Sequence, residues 1–220
     1  MSDTDNSLFR EVDEEVRTEE YKKLWDRYGK YVSGLAVVAV AAIAAFQGWT
    51  YYQTKQAEDA SIVYLDAVKK ATDGKTEDAT AAFAAVNQAG FAQLGRLHVA
   101  QMLADKGDVE KAVAAYDAFA GDAKSDPALA DLARIRAGYL LVDTESADKI
   151  AARVSNFAVD GSTWRNEAHE IMGLAAWRLK DYAGAQKNML AIDADDKAPA
   201  AMRQRAQILI QLIAPNLPAK

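Results

Sequence analysis

No cysteine occurs in the 220 residues, so disulfide bridges, thiolate metal sites and a cysteine nucleophile are all excluded. The same absence suits an oxidising compartment. Histidine is nearly missing too, with only His98 and His169. His169-Glu170 opens like a zinc-protease helix motif, but Gly173 stands where the second histidine would have to be. His98 is alone on its helix face and reads as a packed histidine rather than a ligand. No glycine-rich phosphate loop, no G-x-S-x-G elbow and no histidine cluster is present. Asp193, Asp195 and Asp196 cluster before Pro199 without the glycine spacing of a calcium loop, and read as a solvated turn. These absences leave no catalytic constellation, no cofactor site and no metal site. The chain reads as non-enzymatic; an enzyme or metal-binding protein with a site assembled from scattered carboxylates is the contrary reading.

A basic excess is also lacking. Lys and Arg number 26 against 32 Asp and Glu, and neither half of the chain is basic, so a nucleic-acid partner has no electrostatic support. Prolines number four, and the alternation of Val, Ile and Thr that marks strands is missing, while alanine is abundant. An all-α chain is expected.

One stretch lacks charge altogether. From Tyr31 to Tyr52, between Lys30 and Lys55, no charged residue occurs. As a helix these residues rise about 33 Å, enough to cross a hydrocarbon core of about 30 Å. Trp25, Tyr28 and Tyr31 before the run, and Trp49, Tyr51 and Tyr52 after it, form the aromatic belts favoured at headgroup level. The run reads as a single transmembrane helix. Arg17, Lys22, Lys23, Arg27 and Lys30 lie in the 15 residues before it, against Lys55 alone in the 15 after it. Residues 1–30 are therefore expected in the cytoplasm and residues 53–220 outside it. The competing reading is a signal peptide cleaved at Ala42-Ile43-Ala44, against which stand the acidic leader and the aromatic belt beyond that site.

Leu8, Val12, Val16, Leu24 and Tyr28 fall at multiples of four and predict an amphipathic leader helix, lying at the membrane surface or docking a cytoplasmic partner or second copy. Within the span, Ala36, Ala44 and Gly48 share one stripe. Small residues let another helix approach closely, so the span reads either as a plain anchor or as a surface for lateral packing.

Beyond the span the pattern is helix, short break, helix. Helices are expected over residues 57–71, 78–87, 93–106, 109–119, 128–142, 147–157, 165–179, 183–192 and 199–213. The second helices of successive pairs carry Ala79 and Phe83, Ala112 and Tyr116, Ala147 and Ala151, and Ala185 and Met189. The leading alanines are 33, 35 and 38 residues apart. A period of this length built from helix pairs resembles the tetratricopeptide repeat. The residues that carry the resemblance are Ala100, Leu103, Gly107-Asp108, Ala112, Tyr116 and Phe119 in one unit, and Gly173, Asp181-Tyr182, Ala185 and Met189 in another. The unit over 127–157 departs from the pattern, and the first unit has a longer gap between its helices than the family allows. The expected architecture is one transmembrane helix followed by an α-solenoid of four helix pairs and a C-terminal capping helix.

In the tetratricopeptide family the inner wall of the array binds peptides and protein segments. Matched onto this chain, the resemblance implies Leu94, Leu97, Gln101 and Asp105, then Glu167, Glu170, Leu174, Trp177 and Arg178. Trp177 has a second reading, packing against the terminal helix. The Lys and Asn cluster that clamps a C-terminal carboxylate in some relatives is missing. Over nearly the whole chain, Leu8-Phe9-Arg10-Glu11-Val12-Asp13, then Leu24-Trp25-Asp26-Arg27-Tyr28-Gly29 entering a single span, then helical repeats, is similar to bacterial ancillary subunits of the Sec translocon. That resemblance implies an inner-membrane protein with a periplasmic repeat domain. Its role would be a scaffold beside the export channel, with periplasmic chaperones or exported proteins as partners. Some relatives imply instead an envelope scaffold that coordinates cell division or another inner-membrane complex. Self-association is compatible with either.

Overall fold

The computed structural model describes residues 3–217, and the side chains of residues 22 and 25–217. Among these the secondary structure is helical throughout, with no strand. The elements are α1 (Asp3–Thr72), α2 (Thr76–Ala84), α3 (Ala89–Asp105), α4 (Val109–Ala120), α5 (Pro127–Leu141), α6 (Ala147–Val154), α7 (Arg165–Arg178), α8 (Tyr182–Asp193) and α9 (Ala200–Ile213). Short 3-10 turns follow α6 and α9. Leader, span and first repeat helix, read separately in the sequence, all lie within α1. The side chains of Leu8, Val12, Val16 and Leu24 lie outside those described. The chain divides into two compact units, Met1–Asp59 and Ala60–Lys220.

In the first unit the apolar run is exposed along its length; Leu35, Val38 and Phe46 are each more than 60% accessible. Ala36, Ala44 and Gly48 are exposed too, and a Cβ built on Gly48 would meet nothing within 4 Å.

In the second unit the last turns of α1 pair with α2, α3 with α4, α5 with α6 and α7 with α8, leaving α9 as the cap. Three of the four pairs turn through three residues with the same hydrogen bonds. The N–H of Gly107 reaches Ala104 O (2.9 Å) and that of Asp108 reaches Leu103 O (3.0 Å). Gly74 with Lys75, and Lys180 with Asp181, repeat this six-to-one and five-to-two closure of a helix end. The closure needs a left-handed residue, supplied by Gly74 (φ 77°), Gly107 (φ 81°) and Lys180 (φ 62°). Asp108 and Asp181 then cap the next helix by accepting from the N–H of Lys111 and Gly184. The first pair therefore has the family's short turn, residues 73–75, and not the longer gap expected. Thr76 begins a helix that starts two residues earlier than the periodicity suggested.

The third pair is built differently. Its link runs over 142–146 without a left-handed residue, and Ser146 caps α6. The longer link shifts the register. Ala147 is exposed, while Ile150 and Val154 occupy the buried positions held elsewhere by Ala79 and Phe83, Ala112 and Tyr116, and Ala185 and Met189. The expected pair Ala147 and Ala151 is thus corrected to Ile150 and Val154. Two larger side chains on α6 need a smaller partner. Gly138 on α5 supplies it: a Cβ there would come within 3.1 Å of both Val154 Cγ1 and Ile171 Cδ1. In the fourth pair Gly173 plays this part against Met189 and Asn188.

Four rings bind the end of α1 to the first repeats. Tyr64 meets Phe83, Phe91 and His98 at centroid distances of 5.7, 5.3 and 5.7 Å, and His98 stacks on Phe83 at 5.3 Å. The core continues through Leu97, Ala100, Tyr116, Phe119, Ala133 and Ala137. A separate cluster between α5, α6 and α7 contains Ile135, Ile150, Val154 and Ile171. The α8–α9 seam closes on Met189, Ile192, Met202 and Ala206. Each cluster joins neighbouring helices only, as expected of a solenoid.

Candidate functional site

The first helices of three successive pairs, α3, α5 and α7, and the cap α9 are tied by a row of polar side chains. Gln101 Oε1 on α3 accepts from Arg136 Nη1 on α5 at 3.0 Å and from Tyr116 on α4 at 3.1 Å. Tyr139 on α5 donates to Glu170 Oε2 on α7 at 2.6 Å. Arg205 on α9 closes on the same carboxylate, Nε to Oε1 at 2.8 Å and Nη2 to Oε2 at 3.2 Å. These ties join residues 35, 31 and 35 positions apart, about one repeat each. The row places the four helices side by side in one layer.

Glu170 is the one buried charged side chain among the described residues, at 8% exposure. An ionised carboxylate is withdrawn from water only with hydrogen-bonded partners, and Tyr139 and Arg205 provide them. Burial, reinforced by the bond to Glu170, pushes the Tyr139 hydroxyl far above its ordinary range, so it remains a donor. The bond to Glu170 holds the Arg205 guanidinium above its ordinary value despite some desolvation. Burial, with Arg136 nearby, lowers the proton affinity of His98.

The nine residues implied by the resemblance divide. Glu170 is in the row, and Gln101 joins it from α3 while donating to Asp105 at 2.8 Å. Leu174 is half-buried one turn from Glu170, and Leu94 and Glu167 are likewise half-buried. Leu97 is 5% exposed within the α3–α4–α5 core and cannot meet a ligand. Trp177 packs edge-on to Tyr182 at 5.8 Å, in a cluster with Ala176, Ala185 and Ile213; the packing reading describes it. Arg178 reaches back to α5, donating through Nε to Val142 O at 2.7 Å and through Nη2 to Glu145 O. It satisfies two carbonyls of the five-residue link itself, so its role is structural. The residues absent from the sequence reading are Arg136, Tyr139 and Arg205. Only their spacing of about one repeat from Gln101 and Glu170 could have pointed to them.

The residues weighed as ligands in the sequence, His169, Asp193 and Asp195, each have a protein partner. His169 Nδ1 lies 3.0 Å from Asn188 Oδ1 at the α7–α8 seam. Asp193 accepts from Gln207 at 2.7 Å. Asp195 accepts from Asn166 (2.8 Å) and from the Lys197 N–H (2.9 Å), which hold its carboxyl below the usual carboxylate range. Among the described residues no group of three or more His, Asp or Glu stands together in a way that could hold a metal.

An α-solenoid of helix pairs, with one layer of first helices joined by a polar row, defines a helical-repeat protein of the kind that presents a face to other proteins. The chain belongs to the tetratricopeptide repeat-like domain family, whose family model matches residues 22–213. It is 29% identical over 189 residues, 85% of this chain and 90% of the other, to the ancillary SecYEG translocon subunit of Escherichia coli (strain K12). No solved structure matches it.

Proposed function

We propose that the chain is a non-enzymatic, membrane-anchored adaptor, an accessory subunit of the Sec export translocon. The observation that carries this reading is the extent of the likeness to the Escherichia coli subunit. Its 189 residues exceed the 161 of the compact unit 60–220, so it is not confined to the repeats. In this reading residues 1–30 stay in the cytoplasm, residues 31–52 span the inner membrane, and residues 53–220 lie in the periplasm. The Lys and Arg imbalance across the span supports that orientation. The stripe Ala36, Ala44 and Gly48 packs on a helix of the membrane complex, where close approach supplies most of the association energy. The face along α3, α5, α7 and α9 receives exported proteins or periplasmic chaperones.

Site-specific photocrosslinking in native membranes tests it. A crosslinker at Val38 is expected to capture translocon subunits, and one at Leu174 an exported protein or chaperone. Absence of every translocon subunit from the Val38 products would refute the assignment. A reporter active only outside the cytoplasm is expected to work when fused after Lys220 and to fail when fused before Ser7.

A further inference from the structure

Beside the Glu170–Arg205 pair, the layer opens into a cavity of about 270 Å³ lined by Glu170, Leu174, Met189, Arg205, Ile208 and Leu209. Four of these six are apolar. Met189, 2% exposed, lies deep, whereas Ile208 is 52% exposed and lies at the rim. Sites for drug-sized ligands begin at about 300 Å³, so the volume suits a single large side chain.

The polar wall narrows the class further. A carboxylate has about four acceptor positions. Glu170 fills three of them, one on Oε1 and two on Oε2. Arg205 uses Nε and Nη2, and its Nη1 makes no hydrogen bond among the described residues, while its side chain is 56% exposed. One acceptor position on Oε1 and the Nη1 donor therefore remain open on two residues that line the cavity together with its apolar walls, with their charges already balanced. A charged side chain entering here would give up its water without gaining a net countercharge. An apolar side chain gives up little water, and the backbone N–H and C=O of its residue face the same way in an extended segment, matching the free acceptor and donor.

We propose that this cavity anchors one large aliphatic or thioether side chain, leucine or methionine, of an extended peptide segment in which that residue's own backbone N–H donates to Glu170 Oε1 and its C=O accepts from Arg205 Nη1. The inference rests on the adaptor reading and gives the repeat face its ligand chemistry. A deep apolar pocket beside fixed polar groups is where interface energy concentrates.

The test uses the full chain in nanodiscs and fluorescein-labelled Ser/Gly peptides carrying a single central Leu, Met, Ala or Asp, read by fluorescence anisotropy. The Leu and Met peptides are expected to bind at least about tenfold more tightly than the Ala peptide, and the Asp peptide no better than the Ala one. Ile208→Asp, at the exposed rim, should weaken the Leu peptide by about tenfold or more without lowering the melting temperature, and Ile208→Leu should retain it. Equal binding of Leu and Ala peptides, no binding of any peptide at millimolar concentration, or an unchanged Leu affinity in Ile208→Asp would each overturn the proposal. Discrimination of Leu from Ala that ignores Ile208→Asp removes the cavity assignment and leaves the adaptor reading standing. Loss of the Val38 crosslinks to the translocon removes the adaptor reading whatever the peptides do.

Discussion

Arg205→Ala perturbs the row where its energetics can be worked through. The change removes two charge-assisted hydrogen bonds and leaves Glu170, 8% exposed, with Tyr139 as its remaining partner. Breaking a fully buried ion pair from one side costs about 3–5 kcal/mol. Here the arginine side chain is 56% exposed, so water enters the vacated position and partly rehydrates the carboxylate. That lowers the expected loss to about 2 kcal/mol. In a repeat unit of 161 residues this is a fall in melting temperature of about 4–8 °C. Circular dichroism of the full chain in detergent follows it, with the loss starting at the α8–α9 end because solenoid stability is a sum of neighbour terms. The partner variant is Glu170→Gln, which keeps an acceptor for Tyr139 and removes the charge. In the double variant Arg205→Ala should cost much less than it does alone, giving a coupling of at least about 1 kcal/mol. A melting temperature unmoved by Arg205→Ala, or two single losses that simply add, would refute the account of Glu170 as a buried charge sustained by its neighbours.

Lys180→Gly relieves a side chain held at φ 62° and should raise stability by about 0.5 kcal/mol, the strain of roughly 1 kcal/mol being partly offset by the looser unfolded chain; a lower melting temperature would show that Lys180 contributes contacts that outweigh its backbone. Ala112→Trp puts a large ring at a position with no exposure and should cost at least about 1–3 kcal/mol in thermal denaturation; unchanged stability would remove Ala112 from the α3–α4 seam. His98 binds its proton less readily in the folded chain than in the unfolded one, because of burial and then Arg136, so its contribution is complete above the unfolded value of about 6.5 and is lost as pH falls below it. The melting temperature should therefore drop between neutral pH and pH of about 5.5 more in the native chain than in His98→Phe, and equal pH dependence would contradict the packing of half-buried His98 against Tyr64 and Phe83.

What the sequence determined by itself is what depends on neighbours along the chain. An uncharged run flanked by aromatic rings is a property of a single helix, and it was legible from Tyr31 to Tyr52 without reference to anything outside it. The repeat helices were legible because their periodicity and their short glycine-containing breaks act within a few residues. Asp108 capping α4 and Gly107 closing α3 needed nothing distant. The tertiary structure decided which side of each helix meets a partner, and that depends on the length of the links and on contacts about one repeat away. A five-residue link moved the buried positions of α6 from Ala147 and Ala151 to Ile150 and Val154, and the same link drew Arg178 away from the face to satisfy Val142 and Glu145. The resemblance to the repeat family implied Glu170 as a residue of the inner wall. Its burial could not be read that way, because it rests on Tyr139, 31 residues earlier, and Arg205, 35 residues later, which meet only when three helices lie side by side.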